Sequence, residues 1–163
     1  GLVIDEECVY VCDTNNHRVQ VFGLDGAHRR SWGSHGTRPG QLTNPCGVAI
    51  ADDCIYVTDP LNHRVQVFAL DGTWQRMWGS EGAGEGQFHQ PYNVLVHGAL
   101  VYVADSSNHR VQAFEAADGT YVRQWGSEGE GPGQLSDPWG LAVSEEGQLW
   151  VCDSGNSRVQ LFE

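Results

Sequence analysis

Lysine is missing from this sequence altogether, and nine arginines stand against 21 acids, which leaves a formal net charge of -12. Little remains from which to build the basic face that a phosphate backbone or an anionic bilayer surface requires, so no nucleic-acid partner is expected. Long apolar runs are missing too. Nothing approaches the roughly 20 residues of a bilayer-crossing helix, so direct membrane insertion is not expected. No Gly-Lys-Ser/Thr phosphate loop or nucleophile elbow occurs, and the glycine runs at 79–86 and 126–133 precede no helix that could face an anion. The five cysteines, Cys8, Cys12, Cys46, Cys54 and Cys152, follow neither a zinc spacing nor a disulfide framework. Their odd number leans towards a reducing intracellular compartment. What the chain does have is 163 residues, enough for one domain with a real core, of which 21 are glycine and six tryptophan. That composition favours short strands and tight turns.

A repeat governs the rest. Asp13, Asp59, Asp105 and Asp153 open four copies of one motif at spacings of 46, 46 and 48 residues. The first copy reads Asp-Thr-Asn-Asn-His-Arg-Val-Gln-Val-Phe over 13–22, and the others keep its Asp, Asn, Arg, Val-Gln and Phe. The extra residues of the last interval fall in turns, near Ala116 and Ala117 and around Glu145 and Glu146, where insertions are absorbed. In the second copy four apolar stretches, 47–51, 54–58, 64–68 and 74–78, are separated by Asp-Asp, by the motif's turn and by Asp-Gly. Each is of strand length and rich in β-branched and aromatic residues, so each repeat is read as four antiparallel strands, a to d. Strand c, Val-Gln-Val-Phe, carries apolar or long side chains on both faces, as a sheet covered on both sides needs.

Four-stranded units of this length, radially repeated, are the signature of a β-propeller. The sequence resembles the NHL-repeat family over essentially its whole length. Asp-x-x-Asn-His-Arg-Val-Gln-Val-Phe, Asp-Gly, Trp-Gly-Ser, Gly-Gln-Leu/Phe and Pro-x-Gly-Val stand in the family's order. The resemblance implies an all-β propeller used as a binding platform. Boundaries drawn at each strand a give blades 1–46, 47–92 and 93–139, and a partial blade 140–163 with strands a to c. That makes about three and a half four-stranded antiparallel blades, an incomplete ring, where closed rings take about 4 to 8 blades. The end blades are therefore expected to be covered by another chain or by missing blades, because a stable monomer rarely exposes large apolar faces.

In the repeated turn, Asp and Asn are expected to hydrogen-bond the turn backbone, and Arg to pair with the Asp of its own or a neighbouring blade. These residues are Asp13, Asn16 and Arg18; Asp59, Asn62 and Arg64; Asp105, Asn108 and Arg110; and Asp153, Asn156 and Arg158. His17, His63 and His109 share one slot beside them, which invites a metal cluster. Equal slots on successive blades lie a blade width apart, however, so no metal, cofactor or catalytic residue is expected. Cys12 and Cys152 share a slot that holds Thr58 and Ala104 in the other copies, so these thiols are expected to be buried packing atoms.

A partner is sought where the copies differ, on loops of the rigid frame. In an up-and-down blade the b–c and d–a connections emerge at one end. There the slot after the loop proline holds Cys46, Tyr92 and Trp139, the second b–c tip holds Leu61, and the d–a loops hold His35 and Arg38, then Glu81 and Glu85. Aromatics flanked by acids suit a basic or amphipathic peptide, with the rings as anchors. The competing reading is that Tyr92 and Trp139 plug the seam between blades. The function expected is a non-catalytic protein-interaction scaffold, part of a larger propeller or assembly. The resemblance leaves a metal-dependent lyase or hydrolase of propeller type as one alternative, and the unclosed ring leaves a structural subunit of a large complex as another.

Overall fold

The computed structural model describes all residues from 1 to 163, and its strands form four separate antiparallel sheets. The first holds β1 (Leu2–Ile4), β2 (Cys8–Asp13), β3 (Arg18–Gly23) and β4 (His28–Trp32). The second holds β5 (Val48–Ala51), β6 (Cys54–Asp59), β7 (Arg64–Ala69) and β8 (Trp74–Trp78). The third holds β9 (Pro91–His97), β10 (Leu100–Asp105), β11 (Arg110–Glu115) and β12 (Tyr121–Trp125). The fourth stops at three strands, β13 (Pro138–Val143), β14 (Leu149–Asp153) and β15 (Arg158–Phe162). This is an all-β propeller of three full blades and a partial one. The inner strands β9 and β13 begin at the loop prolines, two residues ahead of the sequence boundaries at 93 and 140.

Alternation of side chains along each strand gives every sheet a leading and a trailing face. Three seams join the trailing face of one sheet to the leading face of the next. In the first, Tyr10, Val19 and Val21 meet Val48, Ile55, Val57 and Phe68. In the second, Tyr56, Val65 and Val67 meet Val94, Val101, Val103 and Phe114. In the third, Tyr102, Val111 and Ala113 meet Leu149 and Val151. The middle sheets are covered on both faces, so β6, β7, β10 and β11 are buried almost without interruption. The outer sheets are covered on one face only, and β2 and β14 alternate buried with open positions.

This asymmetry corrects one expectation. Cys12, Thr58 and Ala104 are buried in their shared slot, but Cys152 is exposed, because the trailing face of the fourth sheet has no sheet beyond it. Burial pushes the Cys12 thiol up to about 12.

The motif between strands b and c makes a single 3-10 turn, Thr14–Asn16 in the first copy, closed by a residue in the left-handed region. His17, His63, His109 and Ser157 hold that place with φ between 52 and 55°. Each d–a loop then opens at the glycine of Trp-Gly-Ser. Gly79, at φ +102°, has Phe88 and the His63 carbonyl so close that a Cβ would lie 2.5 Å from the ring, so only glycine fits.

Candidate functional site

The repeated turn residues do more than shape their own turn. Asp59 Oδ2 accepts from Arg64 Nε at 2.8 Å and from Asn62 Nδ2 at 2.8 Å, while its Oδ1 accepts the Thr43 amide of the preceding loop at 2.7 Å. Arg64 donates onward to the carbonyls of Thr37, Arg38 and Gln41, and Asn62 to that of Gly36. Gln66, the glutamine of Val-Gln-Val, is buried because it accepts from Gly40 N and donates to Gln41 O. The same grip recurs around Asp105, Asn108, Arg110 and Gln112 on the loop 79–90, and around Asp153, Asn156, Arg158 and Gln160 on the loop 126–137. The motif is therefore a clamp by which each blade holds the d–a loop of the blade before it. The Arg pairs with the Asp of its own blade, and the side chains reach the neighbouring loop, where the sequence pointed to the turn backbone.

In the first blade the clamp is assembled, with Arg18 Nε 2.8 Å from Asp13 and Asn16 and Gln20 donating to the same carboxylate, but no loop lies in it. Arg18 is accordingly 39% exposed, against 7% for Arg64 and Arg110. At Asp153, burial alone would raise the carboxyl, but the Ser136 amide and the side chains of Asn156, Arg158 and Gln160 donate to it and hold it below its usual value.

The histidines serve the loops as well. Nδ1 of His17, His63 and His109 accepts the backbone amide of Asn44, Gln90 and Asp137 respectively, at 3.1, 3.3 and 3.2 Å. Each belongs to its own seam, and no group of three or more His, Cys, Asp or Glu stands together.

The partner candidates fall into two sets. Tyr92 and Trp139, on neighbouring inner strands, stack with ring centroids 4.7 Å apart and planes 16° apart. With Cys46 they line a cavity of about 100 Å³ that also touches Gly1, Gly47 and Asn93. Cys46 and Tyr92 line a second cavity of about 250 Å³, together with Leu61, Pro60, Thr14 and Asn44. Leu61 and Trp139 are each 50% exposed. The seam-plugging place belongs instead to Leu42, Phe88 and Leu135, the last residues of Gly-Gln-Leu/Phe, which are fully buried. His35, Arg38, Glu81 and Glu85 line neither cavity and stand exposed on two separate loops, with the His35 ring tilted by 56° against that of His17 at 4.6 Å between centroids. Asn44 and Asn93 were not picked out from sequence. For Asn44 the signal was present, since Asn before Pro marks a turn, and it sits at φ 56°.

The NHL repeat family model matches residues 1–22 and 135–162, the first and last copies, and the clamp just described is built identically in the two copies between them. The molecule is an NHL-repeat β-propeller. No curated protein matches this NHL chain in sequence. Among solved structures it is similar to a chain of the nidogen/laminin complex at 19% identity and TM-score 0.77, covering all of this chain and 58% of that one. It is similar to virginiamycin B lyase from Staphylococcus aureus at 12% identity and TM-score 0.69, over 100% of this chain and 54% of the lyase. It is also similar to the computationally designed Ika4 protein at 14% identity and TM-score 0.67, over 99% and 88%. The NHL chain thus spans little more than half of the two natural chains, and at these identities the likeness is one of fold.

Proposed function

We propose that this propeller is a non-catalytic protein-interaction scaffold that binds an amphipathic or basic peptide where the inner strands β9 and β13 begin. The observation that carries the reading is the stacked Tyr92–Trp139 pair, half open to solvent, with exposed Leu61 across the adjoining cavity. Two aromatic planes held by inner strands are rigid, so little entropy is lost when a side chain packs on them, and such residues dominate binding energy. Glu81 and Glu85 on the neighbouring loop, with Glu128 and Glu130 on the next, give that end an acidic rim that suits cationic peptides. The likeness to the lyase assigns no residue of this chain a place in a reaction.

Selection of peptides from a displayed random library against the 163-residue chain tests the reading. Binders should be rich in basic and apolar residues, and Trp139→Ala or Tyr92→Ala should weaken them by about 2 kcal/mol, roughly thirtyfold. Binders indifferent to both substitutions would place the interaction elsewhere and overturn the proposal.

A further inference from the structure

The slot after each loop proline is filled unequally. Trp139 of β13 stacks on Tyr92 of β9, with ring centroids 4.7 Å and planes 16° apart. Ahead of β5 the same slot holds Cys46, a side chain too small to continue the stack onto Tyr92. A cavity of about 250 Å³ lies there, bounded by Cys46, Tyr92, Leu61, Pro60, Thr14 and Asn44 and not by Trp139. Since Trp139 covers one face of the Tyr92 ring, the cavity stands against the other. The walls agree with this. Leu61, at the tip of the b–c turn, is 50% exposed, and its slot in the third blade, beside the seam where Tyr92 supplies the ring, holds Ser107. An apolar tip thus stands where the chain has no ring, and a polar tip where it has its own. Burial raises the Cys46 thiol above its usual value, which keeps it neutral near pH 7, and no carboxylate or cationic side chain lines the cavity. The Tyr92 hydroxyl donates to Gln90 Oε1 at 3.3 Å, so the ring is held at its tip as well as from behind.

We propose that an aromatic side chain of the bound peptide enters this cavity and stacks on the second face of Tyr92, and that Cys46, by being small, is the residue that decides this specificity. The inference rests on the peptide-binding reading above and names the anchor of that peptide. Stacked rings attract one another beyond the area they bury. Tyr92 is already fixed, so little order is lost when another ring joins it. The cavity is smaller than the pockets of drug-sized ligands, which begin near about 300 Å³, and suits one side chain rather than a whole small molecule. A charged side chain would lose its hydration there without a partner to replace it. The basic residues of the peptide therefore stay outside, on the acidic rim, and flank the aromatic anchor.

The probes are N-acetyl-phenylalaninamide and its saturated analogue N-acetyl-cyclohexylalaninamide, each titrated into the 163-residue chain and followed by NMR at the Leu61 methyl groups and the Tyr92 ring. The phenyl probe should shift both saturably and bind about fivefold more tightly than the cyclohexyl probe, which is thicker and has no π face. Cys46→Tyr puts into the slot the residue that the next blade carries there, so it should fold like the wild type and lose the phenyl probe. A readout without substitution is alkylation of Cys46, with exposed Cys152 as the internal control. The phenyl probe should slow the reaction of Cys46 about tenfold once some nine-tenths of the sites are filled, and leave that of Cys152 unchanged. Phenyl binding that survives Cys46→Tyr, equal affinity for the two probes, or alkylation of Cys46 that ignores the probe overturns the proposal. Selected peptides that depend on Trp139 yet bind Cys46→Tyr as well as the wild type also overturn it, and leave the peptide reading standing. Selected peptides indifferent to Tyr92 and Trp139, with the phenyl probe still seated beside Cys46, overturn that reading and leave the aromatic slot.

Discussion

At the residue scale, the same pair of side chains stands in two environments. Asp105 and Arg110 are buried with Nε–Oδ2 at 2.7 Å and a loop held against them, while Arg18 beside Asp13 is 39% exposed and holds none. Removing one partner of a buried pair leaves the other charge uncompensated, whereas an exposed pair is already solvated. Asp105→Asn should therefore lower stability by about 3–5 kcal/mol in chemical denaturation, and Asp13→Asn by far less. Equal losses would mean that the clamp matters only to its own turn. The sequence made the pairing legible, since Asp and Arg recur at a fixed offset in all four copies. It did not reveal the reach of the clamp, because the groups it grips in the loop are backbone carbonyls and amides, which every residue type supplies equally.

At the scale of the element, the strands of the second copy were legible to within a residue, whereas the inner strands of the third and fourth begin two residues early, at the loop prolines. The second copy was expected at 54–58 and 74–78 and is found at Cys54–Asp59 and Trp74–Trp78, because period-two patterning and Asp-Gly turns act locally. The left-handed residue closing each 3-10 turn was not legible, since three of four copies place histidine there and nothing in histidine requires a positive φ. Its reason is the acceptor at Nδ1, which receives the amide of the following loop. The fourth copy has Ser157 in that conformation, and a serine offers no ring nitrogen to accept an amide. Ser157→Gly should thus gain up to about 1 kcal/mol by relieving the left-handed strain. His63→Ala keeps the strain and strands the Gln90 amide, and should lose about 1 kcal/mol in the same thermal unfolding assay. The Tyr92–Trp139 pair was legible in part. The slot holding Cys46, Tyr92 and Trp139 varies between copies, but the stacking of two of its members depends on the spacing of adjacent inner strands, a tertiary quantity.

At the scale of the whole molecule, stability is divided among three seams in a row, each contacting only its neighbours, as in other repeat proteins. The outer sheets have one seam each and should open first, but the two ends differ. The clamps of the second, third and fourth blades each grip the loop that precedes their own blade, so the direction of the chain is written into the order in which protection is lost. When the first sheet opens, the loop 33–44 can remain gripped by Asp59, Arg64 and Gln66 of the second. When the fourth sheet opens, Asp153, Arg158 and Gln160 leave with it, and the loop 126–137 is set free. Native-state hydrogen exchange should find the amides of 126–137 exchanging together with β14 and β15, while those of 33–44 outlast β1 and follow the second sheet. Exchange of both loops at the pace of their own preceding strands would show the grip to be incidental. With it, the array behaves like a row of tiles each pinning the edge of the last, which can be lifted from one end without disturbing the next and from the other end cannot.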